Sequence, residues 1–432
     1  MRIAVIGSGI SGLASAWLLS REHAVTLFEA QDYLGGHTHT HRIWMGDRSY
    51  SVDSGFIVYN PLHYPLLTRL FNELGVTSQP TTMSFSVRND RSGVEYNAGS
   101  LAGLFCQPRN LFSPRFLGML RDLSRFYREA PGVLLDEGDV TTLGEYLAKH
   151  RYGRAFAEDH LIPMASALWS CAPDDILQFP TRHLVQFMRN HQMFQVSGRA
   201  PWCVVSGGSA SYVHALRSSW KVTERLSSDV RSVRRRGFDV QIRTDGGLEH
   251  FDHVVMACHS DQALTLLSDA STQEREILGA IGYQHNEAIL HTDTSVLPSR
   301  LSAWAAWNAL IPRELDSTCY VSYCMNMLQG LRAPETFIVS LNAKDHIQPT
   351  RILKRMSYTH PVFDTKAVGA QQRKGEIQGK RRTWYAGAYW GWGFHEDGMR
   401  SAVAVARALG VDWPAVLSIA KAGGAMREDR AA

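Results

Sequence analysis

Six cysteines (Cys106, Cys171, Cys203, Cys258, Cys319 and Cys324) are scattered through 432 residues with no CxxC pair among them. That spacing argues against a disulfide framework and against a cysteine-built metal site, and points to a reducing cytoplasm. No uncharged apolar run approaches the roughly 20 residues that span a bilayer, so no transmembrane segment is expected and peripheral membrane contact stays open. Charge of one sign is also scarce. A net charge of +4 over this length implies neither nucleic acid nor an anionic membrane as partner. The basic run Arg231, Arg234, Arg235 and Arg236 precedes Gly237 and an alternating strand, the pattern of a solvated hairpin. Internal repeats and low-complexity segments are lacking too.

What remains is ordinary in composition: 44% hydrophobic and 20% charged residues suit a soluble globular enzyme. Because single cores stop growing near ~250–300 residues, the chain should divide into more than one compact unit. The densest signal lies in the first 36 residues. Met1 to Ile6 is a short apolar run, Gly7-Ser-Gly9-Ile-Ser-Gly12 follows, and Leu13 to Leu19 continues at helical spacing. A second apolar strand, Val25 to Phe28, closes on Glu29 and Ala30, with Gly35-Gly36 soon after. Each part has a mechanical job in a strand–turn–helix–strand unit. Gly7 permits the tight turn, Gly9 lets backbone amides approach a pyrophosphate, and Gly12 lets the helix pack on the strand. Ile10 and Ser11 open the helix, whose free N–H groups and dipole favour that anion. Glu29 stands where a carboxylate can accept both hydroxyls of an adenosine ribose. A secretory leader would share the apolar centre but not three glycines at this spacing or the acid that follows.

Dinucleotide signals recur far along the chain. Strands are expected near Val222 and at Val230–Val233, followed by a hairpin over 238–247. The run Phe251-Asp-His-Val-Val-Met-Ala257 reads as a buried strand with small residues at its carboxyl edge, where ligands of α/β folds sit. Thr383 to Gly387 forms a third strand, and Asp397-Gly398 opens a helix from Met399 to Leu409. Between these blocks, Leu62 to Leu74 is an amphipathic helix ended by Gly75, and 116–147 and 156–194 are largely helical. Several strand-like runs fill 288–340. The expected architecture is α/β: a GxGxxG, Rossmann-like domain in three pieces (1–60, 195–265 and 380–425) with an inserted mixed α+β substrate domain (61–194 and 266–379). Residues 426–432 read as a frayed tail.

These blocks resemble the flavin-containing amine oxidoreductase superfamily, which includes monoamine oxidase, protoporphyrinogen oxidase and the carotenoid desaturases. The specific matches are Val52-Asp-Ser-Gly-Phe-Ile-Val-Tyr-Asn60 and Gly387-Ala-Tyr-Trp-Gly-Trp-Gly-Phe-His-Glu-Asp-Gly-Met-Arg-Ser401, with Tyr323-Cys-Met-Asn326 and His360-Pro-Val-Phe363. Within the superfamily the chain is similar to a bacterial subgroup of predicted NAD/FAD-binding proteins, often encoded beside cyclopropane-fatty-acid-synthase-like methyltransferases. The resemblance implies FAD, held non-covalently because no cysteine falls in the C-terminal motif. It implies that Gly35-Gly36-His37, with Thr38, lies near the pyrophosphate and ribityl chain, where relatives carry arginine in place of His37. It also implies that Gly55, Phe56 and Ile57 lie against the isoalloxazine, that Val230 meets adenine, and that Ala257 and Cys258 flank the dinucleotide. Gly387 and the Glu396-Asp397-Gly398 turn would face the flavin's N1–C2=O edge, where a helix N-terminus offers fixed positive potential.

Two departures bear on activity. Amine oxidases keep a lysine near flavin N5, and the corresponding stretch Asn286 to Asp293 has none. The aromatic cage for an amine is only partly recognisable, with Phe394 or His395 near one wall. His395 is the candidate for chemistry, since an unperturbed imidazole exchanges protons near neutrality; its competing role is to order the turn by a hydrogen bond. Tyr59, Asn60, Trp390 and Trp392 are candidate pocket walls, with core packing as the competing role. His37-Thr-His-Thr-His41 would align three imidazoles ~6.6 Å apart on a strand face, but it begins inside the flavin turn and lacks a carboxylate, so no metal is expected. Cys258-His259 is expected to pack on the dinucleotide. The leading expectation is an FAD-dependent desaturase or oxidase moving a hydride from an apolar, fatty-acyl substrate to flavin N5. An amine oxidase is one alternative, and a structural or redox-neutral flavoprotein working with a partner methyltransferase is another. The partner is a small-molecule or lipid substrate; oligomeric state is not legible.

Overall fold

The computed structural model describes residues 1–136, 138, 140–169, 171–195, 198, 200–313 and 319–414. The tail 426–432, and the third dinucleotide segment beyond 414, lie outside the described residues. At the centre is a five-stranded parallel sheet in the order Val222–Arg225, Ala24–Phe28, Arg2–Ile6, His253–Met256, Thr383–Tyr385. Strands from three distant stretches thus lie side by side, with Arg2–Ile6 in the middle. Its unbroken apolar run suits that place, because a parallel sheet is covered on both faces and Ile3, Ala4 and Val5 are fully buried. On one face Ile3 and Val5 pack with helices Ile10–Leu19 and His395–Ala408. On the other, Ala4 and Ile6 pack with the antiparallel meander Val230–Arg235, Val240–Thr244 and Gly247–Phe251.

Helix Pro65–Leu74 begins with proline at its first turn and stops at Gly75 in the left-handed conformation (φ 67°). The sequence reading puts this helix in the second unit. Its apolar face, Leu67, Leu70 and Phe71, packs instead in the core of the parallel sheet. The helix His395–Ala408 also starts four residues earlier than the expected Met399.

The second layer is a seven-stranded sheet in the order Ile352–Val362, Gly282–His291, Ile338–Leu341, Tyr320–Cys324, Trp307–Ile311, Phe85–Asn89, Val94–Asn97. All its pairs are antiparallel except Trp307–Ile311 with Phe85–Asn89. Helices Pro114–Glu129, Leu143–Lys149, Ile162–Trp169 and Thr181–Asn190 share a separate apolar core built on Phe116, Phe126, Phe156, Phe179 and Phe187. Among the described residues no helix is long and apolar enough to cross a membrane.

Candidate active site

A cavity of about 650 Å3 opens at the carboxyl ends of the parallel strands and reaches the seven-stranded sheet. That size lies inside the range of roughly 300–1,000 Å3 typical of small-molecule sites. Its floor is the glycine turn. Gly7 has φ +98°, and a Cβ there would stand 2.9 Å from the Ala257 carbonyl, so both conformation and space demand glycine. Behind it, a Cβ on Gly12 would sit 1.8 Å from the Gly7 carbonyl, which locks the helix onto the turn. Helix Ile10–Leu19 has no side-chain cap at Gly9, and Ile10 and Ser11 line the cavity at its N-terminus. Uncapped amides of a first turn are a ready anion site.

Glu29 also lines the cavity, but its carboxylate is partly engaged. Oε2 accepts from the Ser8 amide (2.9 Å) and hydroxyl (2.6 Å), and Oε1 accepts from the Gln31 amide (2.9 Å). A carboxylate has about four acceptor positions, so Glu29 closes the turn and keeps capacity for a ligand hydroxyl. Ala30, Gly35, Gly36, Gly55, Phe56, Ile57, Val230, Ala257, Cys258 and Gly387 line the same space. Four histidines do so too. His37 stacks on Tyr358 (centroids 4.9 Å) and lies 5.1 Å from His360 and 6.1 Å from His259. Burial pushes His37 and His259 down to about 4 and His360 down to about 3, so all three are neutral at pH 7. The His37 Nε2 atom is buried without a hydrogen-bond partner, a vacancy a polar ligand would fill.

The expected face of three imidazoles does not form. His37 precedes strand Thr40–Met45, while His39 stacks on Tyr33 and lies 4.1 Å from His41. Among the described residues no group of three or more His, Cys, Asp or Glu is placed to hold a metal ion. Nor do Cys258 and His259 form a thiolate–imidazole pair. Burial pushes the Cys258 thiol up to about 12, and His259 Nδ1 bonds the Thr359 hydroxyl at 3.0 Å.

His395 lines the cavity with its ring stacked on Phe56 at 3.6 Å. Its Nε2 lies 3.1 Å from Thr38 Oγ1 and 3.3 Å from the Tyr212 hydroxyl. Burial, with His37 nearby, pushes it down to about 3. Of the two roles expected for this imidazole, proton exchange near neutrality and ordering of the turn by a hydrogen bond, its geometry resembles the second, with side-chain hydroxyls as the partners. Thr38 does not line the cavity and serves by holding Tyr212 (2.5 Å) and His395. Phe394 does line it, stacked on Phe187 at 5.1 Å.

Other candidates are set back from the cavity. Tyr59 is buried against Tyr64 and Phe71 and donates its hydroxyl to Ser78 (2.9 Å), so it is core and not a wall. Asn60, Trp390 and Trp392 are likewise absent from the lining. The turn 396–398 sits behind the wall as well. Glu396 accepts from the Leu66 and Leu67 amides (both 3.1 Å), capping helix Pro65–Leu74, and burial pushes its carboxyl up to about 7. Asp397 accepts from the Trp392 and Phe394 amides and closes the loop. Gly398 is a contact point, since a Cβ would stand 2.6 Å from Ile10 Cγ2 and 2.9 Å from Ser11 Oγ.

The far end of the cavity is lined by residues the sequence reading missed: Ala167 and Leu168 from helix Ile162–Trp169, and Trp307, Tyr323 and Leu341 from the seven-stranded sheet. Tyr323 and His360 lie inside motifs that carry the resemblance, which is the signal that could have found them. Trp307 and Leu341 carry no local signal. Among the described residues no lysine lines the cavity, and the carboxylates that do (Glu29, Asp229 and Asp261) all belong to the glycine-turn end. An anion-ready helix start, a carboxylate beyond the second strand, the unpartnered His37 Nε2 and an apolar far end together fit a flavin dinucleotide.

The sequence model of the family described as flavin containing amine oxidoreductase matches residues 10–320. A stretch of 79 residues is 40% identical to tryptophan 2-monooxygenase of Allorhizobium ampelinum, covering 18% of this chain and 11% of that protein. Among solved structures, the CLA-producing fatty acid isomerase from P. acnes superposes with a TM-score of 0.66 at 17% identity, covering 94% of this chain and 98% of that one. Putrescine oxidase bound to putrescine gives 0.67 at 12% identity, covering 95% and 99%. These last two share the fold. With the family model spanning most of the sequence, the chain belongs to the flavin containing amine oxidoreductases and is an FAD-dependent oxidoreductase.

Proposed function

We propose that the chain oxidises an apolar, fatty-acyl-like substrate at carbon, as a desaturase or oxidase. The observation that carries this reading is the far end of the cavity, walled by Ile57, Ala167, Leu168, Trp307, Tyr323, Leu341 and Phe394 with no lysine or carboxylate among them. Such a wall suits an alkyl chain and places no charged side chain beside it. Gly7, Gly9 and Gly12, the Ile10 and Ser11 amides, Glu29 and Val230 would hold the adenosine diphosphate half of FAD. Gly36, His37, Gly55, Phe56 and Gly387 would hold the rest. Bound FAD supplies the acceptor for a hydride and its two electrons.

The protein's own contribution is position and dryness. Apolar walls exclude water from the reacting carbon. His395 stays neutral and fixed against Phe56, so it shapes the wall without introducing charge. The Tyr323 hydroxyl donates to the Ala167 carbonyl (3.2 Å), which ties the helix wall to the sheet wall. The fatty acid isomerase that shares the fold supports the acyl class by analogy only.

Amine oxidation is the second reading, favoured by the family description and by the fold shared with putrescine oxidase. Mixing the yellow protein without oxygen against acyl lipids and primary amines separates the two. Bleaching of the flavin band by acyl lipids supports the first reading. Bleaching by amines, with peroxide formed on re-aeration, supports the second. Denaturation is expected to release the FAD free, as non-covalent binding requires.

A further inference from the structure

The seven-stranded sheet ends at strand Val94–Asn97, beyond which the chain winds through Leu101–Leu104, Pro108–Phe112 and Pro114–Glu129. Segment Leu301–Ala303 packs beside them: Asn97 donates to the Trp304 carbonyl (2.8 Å) and the Ser299 amide donates to Glu95 (2.9 Å). Large apolar side chains face solvent on these segments. Phe112 is 84% exposed, Leu101 and Leu301 75%, Leu111 48% and Leu117 45%. Singly exposed apolar residues are normal, whereas a contiguous group marks an interaction site.

Arginines lie among them. Arg109, Arg121, Arg128 and Arg300 are exposed and form no ion pair among the described residues. By contrast Arg115 is tied to Glu158 and Asp159, and Arg125 to Asp122 and Glu129. On helix Pro114–Glu129 the inner face buries Phe116, Met119 and Phe126. Leu117, Arg121, Ser124 and Arg128 recur at intervals of three and four on the solvent face. Leu117 thus shares the exposed face of this helix with Arg121 and Arg128, while Arg109, whose guanidinium donates to the Gly93 carbonyl, is near Leu111 and Phe112 in the chain and Arg300 adjoins Leu301.

We propose that this surface docks the protein on an anionic lipid bilayer. Phe112, Leu111, Leu101 and Leu301 enter the interface while Arg109, Arg121, Arg128 and Arg300 lie at headgroup level. A bilayer offers both partners at once: a hydrocarbon boundary for the tip and anionic headgroups for the arginines. The inference stands on the surface alone and does not rest on the substrate reading.

Co-sedimentation of the FAD-loaded protein with vesicles tests it, comparing phosphatidylcholine alone with phosphatidylcholine plus phosphatidylglycerol. Binding to the anionic vesicles, weakened by salt, is the expected result. Combining Leu111→Ser with Phe112→Ser should lower the partition coefficient by about tenfold or more, from the lost apolar burial. Arg121→Gln with Arg128→Gln should lower it about 25-fold, at about fivefold per arginine. That second pair tests the surface even if the serine variant fails to fold. Trp44→Ser, at a side chain 64% exposed on the separate ribbon Thr40–Met45, should change nothing. Absence of sedimentation with anionic vesicles overturns the proposal, as does equal loss in the Trp44 variant. A dimer in solution that the serine variant dissolves, without any vesicle binding, would assign the patch to a second copy.

Discussion

Glu29 shows how one side chain serves two ends. Its carboxylate closes the glycine turn through Ser8 and Gln31 while lining the cavity. Replacing Glu29 by Ala should weaken FAD binding by about 1.5–3 kcal/mol, the scale of hydrogen bonds to a charged group. Titration calorimetry on the flavin-stripped protein measures this, and unchanged affinity would contradict the assignment. His395 gives a prediction of a different kind. Held at about 3 by burial, its ring resonance should not shift as pH is raised from about 5 to about 8, whereas an exposed imidazole would titrate in that window. The glycines were legible in the sequence because each reports a backbone conformation or a close approach that only that residue permits. Tyr59 was not. Whether a tyrosine walls a cavity or fills a core depends on a partner such as Ser78, which belongs to a different strand.

At the scale of elements, the site hangs on the contact between helices Ile10–Leu19 and His395–Ala408. Gly398→Val would press a side chain onto Ile10 and Ser11 at the anion-binding end of the first helix. Overpacking of this kind costs about 1–3 kcal/mol. The variant should therefore lose stability and flavin retention together, read by urea melts and by flavin-to-protein absorbance. Glu396 links a third helix by capping Pro65–Leu74. Because its folded carboxyl titrates at about 7 rather than 4.5, the folded state binds more protons than the unfolded between those values. Its ionisation therefore removes stability as pH rises from about 4.5 through about 7. Glu396→Gln should lessen that fall in urea melts at about pH 5 and 8, and an unaltered pH dependence would contradict the burial. Periodicity in the sequence located these helices, but their starts and packing partners are set by capping across the chain. The sequence reading starts the last helix at Met399, while Asp397 caps it from inside its first turn, so it begins at His395.

Across the whole molecule the histidines dominate the response to acid. Nine of the 18 (His37, His41, His160, His183, His191, His259, His291, His360 and His395) are held at about 4 or about 3 by burial. The unfolded chain, with histidines near 6.5, binds more protons in that interval, so folding stability is lost as pH falls from about 6.5 toward about 4. Asp53 and Glu396, raised to about 6 and about 7, act in the opposite sense but are outnumbered. Melting temperature should therefore drop on acidification, and a flat profile over that range would contradict the burial of these rings. The parallel sheet was legible as short strands in three separate stretches of the chain. The second sheet's share of the cavity was not, because Trp307 and Leu341 become walls only when strands distant in sequence pair in register. Those walls carry the central claim, that an apolar acyl substrate reduces the flavin. Anaerobic mixing of the FAD-loaded protein with matched acyl lipids and primary amines tests it most directly. Bleaching of the flavin band by acyl lipids alone is the expected result; bleaching by amines with silence toward acyl lipids would contradict it.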